Sequence, residues 1–434
     1  MAVSKHRWIF PSRFRAGAYS WKASRLACQR LREAVAEIKK AAKKDPIISA
    51  EGAVRLMEKI WPALEHVDSS SGALGSAVNK TLDDLIPIVV TAPADEKTRN
   101  NWLDRIWQAM EDDGVDYLSP VGDHWGEICG SPEVAGRWAD ELGSTLRSCW
   151  SDPNPRGYFH GATACLSCLL TIGRYGELLD LLELPRYPSW HYRRYGVEAL
   201  RAMGRKAEAI QYAEASRGLN QPDSVIDRAC EEVLISSGLH EEAYQRYGLS
   251  AAVGNSYIGR FRSVAKRYPV KDKSQILSDL IATTPGEEGK WFATAKELEI
   301  YDLALELANR SPCDPKTLTR AARDYLDLEP AFALGSAIAA LRWLTEGWGY
   351  EATSIDVVEA YDRAMDAAAR LNNVDDVTGR IRPLVRVPAH DGRDSGAMAD
   401  TVPVAWRTVF RPDGGHFRRW SGRVSAMISE RCPR

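Results

Sequence analysis

The phrase Gly173-Arg-Tyr-Gly-Glu-Leu-Leu is the strongest indication of the fold, because it returns as Gly204-Arg-Lys-Ala-Glu-Ala-Ile and as Gly238-Leu-His-Glu-Glu-Ala-Tyr. The glycines are 31 and 34 residues apart, and Glu299-Ile-Tyr-Asp-Leu-Ala-Leu continues the phrase about two periods later. Each copy ends one helix and begins the next. A period near 34 is typical of helix–turn–helix repeats of the tetratricopeptide (TPR) type. The sequence therefore predicts stacked helical pairs, since one pair alone cannot bury its apolar face.

Apolar residues recur at helical spacing outside these phrases as well. One such stripe contains Val54, Met57, Ile60, Trp61 and Leu64, and another contains Leu74, Val78, Leu82, Leu85 and Val89. Asp95 indicates one helix start as a capping side chain. Ser131-Pro132 and Asp314-Pro315 indicate two more, each with a capping side chain followed by a proline where the helix begins. No segment alternates with period two, so no sheet is predicted.

We therefore expect an all-α fold, an α-solenoid of stacked TPR-like repeats that follows an N-terminal helical region. Residues 1–150 form a basic N-terminal segment and this helical region, and residues 151–379 form the repeat region. Residues 380–434 lose the apolar periodicity and contain 10 proline and glycine residues. They are predicted to be an irregular basic tail.

Charge is distributed unevenly along a nearly neutral chain of 434 residues. Residues 1–44 contain 12 basic and 2 acidic side chains, residues 380–434 contain 11 and 5, and the stretch between them contains 34 and 52. Such an asymmetry indicates either a polyanionic partner or basic ends that fold back onto an acidic body. Both interpretations remain open.

The cysteine content and the apolar runs bear on the cellular compartment. Eight cysteines are sparse for this length, and most of them lie inside helical patterns, which indicates free thiols in a reducing compartment. The longest apolar runs are far short of the roughly 20 residues that cross a bilayer. We expect a cytoplasmic protein that does not associate with membranes.

Four phrases together resemble an uncharacterised bacterial family of α-helical, TPR-like proteins that carry a domain of unknown function. They are Trp8-Ile-Phe-Pro-Ser-Arg-Phe-Arg, Leu64-Glu-His-Val-Asp-Ser-Ser-Ser-Gly, Thr284-Pro-Gly-Glu-Glu-Gly-Lys-Trp and Ser311-Pro-Cys-Asp-Pro. The resemblance covers about residues 7–370 and leaves the tail outside. It implies a helical, bacterial, cytosolic protein, and it supplies no catalytic residues that could be assigned here.

Two groups of residues have the composition of metal ligands. Cys165-Leu-Ser-Cys168 is a C-x-x-C pair, but a structural zinc site needs four ligands and no second pair exists. Core packing in an apolar helix is the favoured interpretation, with metal or redox use as the alternative. Asp123, His124, Glu127 and Cys129 could supply ligands, yet the glycines around them indicate a turn region with local capping. We therefore predict no metal site and no cofactor.

Two stretches interleave basic and aromatic side chains, a combination that neutralises phosphate and stacks on bases. The first stretch gives a nucleic-acid hypothesis, whose residues are Trp8, Arg13, Arg15, Trp21 and Lys22. The second lies within the repeats, where a concave surface is expected, and is the better candidate for binding a partner. Its residues are Arg186, Trp190, Tyr192, Arg193, Arg194 and Arg201. The alternative for both stretches is that the aromatic rings fill gaps between helices.

The second stretch allows a sharper prediction. A helix from about Trp190 to Met203 places Val197, Leu200 and Met203 on a buried stripe, with Arg194 and Arg201 together on another face. Two arginines on one groove-facing stripe suit the capture of a carboxylate or phosphate. On this interpretation, replacing Arg194 weakens partner binding and barely changes stability.

Three functions follow from these patterns. The first is a non-enzymatic scaffold or adaptor that binds a protein or peptide partner, which the repeats and the missing catalytic motifs favour. The second is nucleic-acid binding, within a larger nucleoprotein complex. The third is an enzyme whose site has no recognisable motif.

Overall fold

The structure is a computed structural model that describes residues 6–152, 159–186, 188–218 and 221–385. Every regular element in these ranges is helical, and no strand occurs among them. The all-α prediction is therefore confirmed. The chain divides into two compact units, Met1–Leu239 and His240–Arg434. This division lies inside the segment 151–379 that the sequence suggested as one repeat region.

The first unit contains twelve α-helices in its described residues. They are α1 (Ser24–Ala42), α2 (Pro46–Leu64), α3 (Ala73–Thr91), α4 (Glu96–Glu111), α5 (Ser119–Asp123), α6 (Trp125–Ile128), α7 (Pro132–Ser151), α8 (Ala162–Thr171), α9 (Tyr175–Leu182), α10 (Trp190–Ala202), α11 (Lys206–Glu214) and α12 (Asp223–Ile235). Two 3₁₀-helices, Phe10–Ser12 and Trp21–Ala23, precede α1.

The described residues of the second unit contain nine more α-helices. They are α13 (His240–Ala243), α14 (Tyr257–Arg267), α15 (Lys273–Ala282), α16 (Phe292–Glu297), α17 (Tyr301–Arg310), α18 (Pro315–Asp324), α19 (Pro330–Thr345), α20 (Ser354–Arg370) and α21 (Val374–Val385). A π-helix, Tyr244–Gly248, continues α13, and a 3₁₀-helix, Glu288–Trp291, precedes α16.

From α7 to α12 and from α18 to α21, each helix packs against its next neighbour, and several alternate helices also make contact. In the first unit α8 contacts α9 and α10, and α10 contacts α11 and α12. In the second unit α18 contacts α19 and α20, and α19 contacts α20 and α21. This order is the packing of stacked helical pairs, because alternate helices then share a layer.

The repeat phrases have one local geometry. Gly173, Gly204 and Gly238 have φ angles of 78°, 77° and 77°, and the residue after each glycine donates its N–H to the carbonyl five residues back. These are Schellman turns, which end a helix on a left-handed residue. Glu299 adopts the same conformation with φ 59°, and the N–H of Ile300 reaches the carbonyl of Ala295. The residues five places along, Leu178, Ala209, Ala243 and Ala304, are all fully buried.

The predicted stripes and caps are largely confirmed. Asp95 accepts a hydrogen bond from the N–H of Thr98 at 2.7 Å, and Asp314 accepts one from the N–H of Thr317 at 2.9 Å. The stripe of α3 is completely buried, whereas Trp61 in the stripe of α2 is half-buried. Met203 is a correction: it follows the last residue of α10 and is 42% exposed, because the turn at Gly204 carries it away from the core.

A buried arginine connects three helices of the first unit, α3, α4 and α6. Arg99 of α4 donates to the carbonyls of Val89 and Ala92 at 2.6 Å each, and to that of Ile128 at 3.3 Å. These carbonyls lie at the C-terminal ends of α3 and α6, where unpaired carbonyls attract a positive charge. Burial lowers the pKa of Arg99.

The end of the described chain corrects one predicted boundary. Helix α21 continues to Val385, so residues 380–385 are helical and not part of an irregular tail. The rest of the predicted tail, 386–434, lies outside the described residues. Among the helices of the described ranges, none combines the length and the apolar character that crossing a bilayer requires.

Candidate binding sites

The predicted partner-binding arginines on α10 are engaged inside the first unit. The Nε of Arg193 donates to the hydroxyl of Ser216 at 2.9 Å, and its guanidinium lies 4.1 Å from the ring centre of Tyr212. Arg201 pairs with Glu198 one turn earlier on the same helix. Arg193 therefore links α10 to the end of α11.

Arg194 connects α10 to α5 through a carboxylate. Its Nη2 lies 2.6 Å from an oxygen of Asp123, and the hydroxyl of Tyr195 donates to the same oxygen at 2.7 Å. The Nε of Arg194 also donates to the carbonyl of His191 at 2.8 Å. Burial, followed by the charge of Asp123, raises the pKa of Tyr195, so this hydroxyl keeps its proton. The geometry gives Arg194 a structural contact and does not join it to Arg201 in a shared groove.

The remaining residues of this stretch differ in exposure. Trp190 is buried, and Tyr192 packs half-buried against Trp150 at 5.1 Å between ring centres. Arg186 is exposed ahead of α10. The aromatic rings fill gaps between helices, which is the alternative that the sequence left open.

The N-terminal stretch is also rearranged by packing. Trp8, Phe10, Phe14 and Tyr19 are buried, so their faces are closed to nucleic-acid bases. Trp21 is 64% exposed, and Lys22 beside it is exposed. The basic side chains Arg13 and Arg15 remain at the surface. Base stacking by the whole stretch is excluded by this packing, whereas its positive charge stays accessible.

The C-x-x-C pair lies in the core, as the favoured interpretation predicted. Cys165 and Cys168 of α8 and Cys129 after α6 are each no more than 1% exposed. Burial raises the pKa of Cys165 to about 12, and a hydrogen bond with Cys129 together with burial raises the pKa of Cys168. Thiols held in this protonated state are poor nucleophiles.

The four candidate ligands between Asp123 and Cys129 do not converge on one point, because they contact different residues. The segment forms two short helices, α5 and α6, where the sequence suggested a turn region. Asp123 is used by Arg194, Cys129 is buried, and the Nδ1 of His124 lies 3.0 Å from a carboxylate oxygen of Glu127. In the described residues, no three side chains of His, Cys, Asp or Glu are placed to hold a metal ion.

A small polar cavity of about 100 Å³ adjoins this network. It is lined by Met110, Asp113, Asp116, Ser119, His160, Thr163 and His191. The carboxylate of Asp113 is committed to backbone N–H groups of Leu118 and Val115, at 2.7 and 3.2 Å. Burial and then the charge of Arg194 lower the pKa of His191, which favours a neutral imidazole. The cavity is well below the roughly 300 Å³ at which ligand pockets begin.

An open groove of about 630 Å³ also lies in the first unit, and we call it the α3–α7 groove. It is lined mostly by apolar atoms, from Asp83, Ile86, Pro87, Val90, Thr91, His124, Gly126, Glu127, Gly130, Ser131, Pro132 and Thr171. Gly126 lets α6 approach α8, since a β-carbon there would stand 2.2 Å from the hydroxyl of Thr171. Sequence reasoning found His124 and Glu127 but missed the groove, because its two walls are separated by about forty positions.

Comparisons with family models, with curated proteins and with solved structures find no significant match to this chain. The resemblance to a bacterial family of TPR-like proteins therefore stays a prediction.

Proposed function

We propose that this chain is a non-enzymatic helical-repeat scaffold that binds a segment of a protein partner in the α3–α7 groove. The observation that carries the proposal is the groove itself, an open cavity with a mostly apolar lining that includes Ile86, Pro87 and Val90. Its volume falls in the range of about 300–1,000 Å³ that is usual for ligand pockets. An open apolar cleft between helices suits an inserted side chain of a partner.

The rim of the groove indicates the chemistry of the partner. Asp83 and Glu127 are exposed carboxylates on opposite walls, and no lysine or arginine of the described residues lines the groove. His124 also lines it, with its Nδ1 3.0 Å from a carboxylate oxygen of Glu127. Complementary charge guides encounter and sets specificity at such surfaces. We therefore infer a partner segment in which an apolar side chain is flanked by arginine or lysine.

The proposal also carries the finer assignments made from the sequence, namely TPR-like repeats in a bacterial protein of the cytoplasm. The identical left-handed turns that follow α8, α10 and α12 support the first assignment. Five of the described cysteines are buried as free thiols, which supports a reducing compartment.

A phage-displayed library of random peptides tests the proposal. Peptides selected on the full chain are expected to share an apolar residue next to a basic one. Asp83→Lys and Glu127→Lys are each expected to weaken the selected peptides by about tenfold, or roughly 1.4 kcal/mol, since each reverses one rim charge.

Asp104→Lys is the matched control, because Asp104 is exposed on α4 and does not line the groove. Failure to enrich any peptide would overturn the proposal. Equal weakening by the rim variants and by Asp104→Lys would overturn it as well, because the effect would then be one of net charge alone.

A further inference from the structure

The loop of residues 12–19 encloses a second open cavity, of about 480 Å³, in the first unit. It is lined by Ser12, Arg13, Arg15, Ala16, Gly17, Ala18, Tyr19 and, from α1, Arg30. The α3–α7 groove shares none of these residues, so this cavity is a separate feature. Three guanidinium groups and one phenol lie around a single space.

A backbone hydrogen bond to α2 and a buried ring contact hold this loop in place. Gly17 has φ 63° and donates its N–H to the carbonyl of Pro62 in α2 at 2.9 Å. The ring of Tyr19 packs edge-on to the buried ring of Phe14, with 6.0 Å between ring centres. The cavity is therefore built on fixed elements, although it lies on a loop.

Tyr19 is the decisive side chain. It is only 5% exposed, and its hydroxyl has no hydrogen-bond partner among the described residues. Burial raises the pKa of Tyr19, so the hydroxyl remains a proton donor. A buried donor without an acceptor is costly to keep, and such a group calls for a ligand or another explanation.

The charges around the cavity do not balance. Arg13 and Arg30 both pair with Glu33, and this carboxylate also accepts from the side-chain amide of Gln29 at 2.9 Å. Hydrogen bonds from Arg30 and Gln29 hold the pKa of Glu33 below its usual range. Arg15 donates its Nε to the carbonyl of Ser12 at 3.1 Å, and no carboxylate of the described residues lies within ion-pair distance of it. One negative charge thus faces three positive ones.

We propose that this cavity binds a phosphate group, with Arg15 as its main ligand and with the Tyr19 hydroxyl as a further donor. Arg13 and Arg30 share the single carboxylate of Glu33 and so add positive potential. A phosphate offers several acceptor oxygens and up to two negative charges, which suits several guanidinium groups and a hydroxyl better than one carboxylate does. The phosphate comes from a phosphorylated small molecule or from a nucleic-acid backbone.

Inorganic phosphate is the first probe, measured by the rise in Tm of the full chain relative to sodium chloride at equal ionic strength, because a ligand of the native state stabilises it. Arg15→Gln is expected to weaken the apparent affinity at least fivefold, about as expected when a charged hydrogen bond is lost. Glu33→Gln is expected to strengthen it, since it releases Arg13 and Arg30.

Two matched controls separate binding from charge and from folding. Arg32→Gln makes the same charge change on an exposed residue of α1 that does not line the cavity, and it is expected to alter the affinity less than twofold. Tyr19→Phe is compared with Tyr212→Phe, which removes another buried hydroxyl without a partner. Only the Tyr19 variant is expected to lose affinity for phosphate.

A fluorescent decamer of deoxythymidylate distinguishes the two sources of phosphate. If the decamer binds more tightly than inorganic phosphate and Arg15→Gln weakens both, the source is a nucleic-acid backbone. If the decamer binds no more tightly than inorganic phosphate, the source is a small molecule. Equal effects of Arg15→Gln and Arg32→Gln on both probes, or the absence of any phosphate-specific rise in Tm, would overturn the proposal.

Discussion

The side chain of Trp8 holds the N-terminal segment against α2 through one close contact. Its ring lies against Gly52 in the middle of α2, where a β-carbon would stand 2.4 Å from the ring. Alanine is the better helix former by about 1 kcal/mol, yet here the added methyl collides with a rigid indole. Since overpacking a core costs about 1–3 kcal/mol, we expect Gly52→Ala to lower the free energy of unfolding in a urea titration.

The control for this prediction is another helical glycine. Gly136 in α7 has open space where its β-carbon would be. Gly136→Ala is therefore expected to raise stability by about 0.5–1 kcal/mol through helix propensity alone. A stabilising effect of Gly52→Ala would show that Trp8 does not occupy this position.

The burial of the aromatic residues around Trp8 could not be predicted from the sequence. A pattern of basic and aromatic residues predicts either a stacking surface or a packed loop, because composition does not tell which side of a ring is covered. The burial of Trp8, Phe10 and Phe14 settles this locally. Arg99 was not anticipated at all, since its partners are backbone carbonyls, which leave no mark in the sequence.

At the scale of elements, the repeat could be predicted because its turns need a particular residue. A left-handed helix end favours glycine, so Gly173, Gly204 and Gly238 are visible in the sequence. Further helix ends of this kind, at Gly347 and Asn372, were missed. They follow α19 and α20, and the residues after them no longer match the repeat phrase that begins at Gly173, Gly204 and Gly238. Asp123, the last residue of α5, was noticed only as a metal ligand.

The ion pair between α5 and α10 allows a prediction about the stability of the chain. Arg194 and Asp123 are both partly buried and lie 2.6 Å apart, so each single replacement leaves a charge without its partner. We expect Arg194→Met and Asp123→Asn each to destabilise the chain by about 1–3 kcal/mol. In a double-mutant cycle by chemical denaturation, the coupling energy should be about 1–2 kcal/mol.

This expectation replaces the one drawn from the sequence, in which Arg194 barely affected stability. Arg201→Met is the control, because Arg201 pairs with Glu198 within α10 and is expected to change stability by less than about 0.5 kcal/mol. A coupling energy near zero would mean that Arg194 is available to a partner after all.

For the whole molecule, the uneven charge of the chain is partly resolved within the first unit. Lys39 of the basic head pairs with Asp84 of α3 at 2.7 Å, and Arg13 pairs with Glu33 inside the head itself. The basic head thus contacts an acidic residue of the body, as the fold-back interpretation predicts, and a polyanionic partner stays a prediction. The boundary between the units was not foreseen, because it falls within a copy of the repeat phrase and has no linker composition.

That boundary gives a prediction for the fold as a whole. The first unit has a core of its own, with buried residues from Trp8 to Ala199, and α12 closes its row of helical pairs. A compact unit with its own core is expected to fold alone. We therefore expect a fragment of residues 1–239 to be helical by circular dichroism and to unfold in one cooperative transition.

A fragment of residues 1–203 is the control, since it removes α11 and α12 and uncovers Leu200 on α10. This shorter fragment should bind a hydrophobic dye and lose its sharp transition. If 1–239 behaves in the same way as 1–203, then the first unit depends on residues beyond Leu239, and the helical pairs form one cooperative array across the boundary.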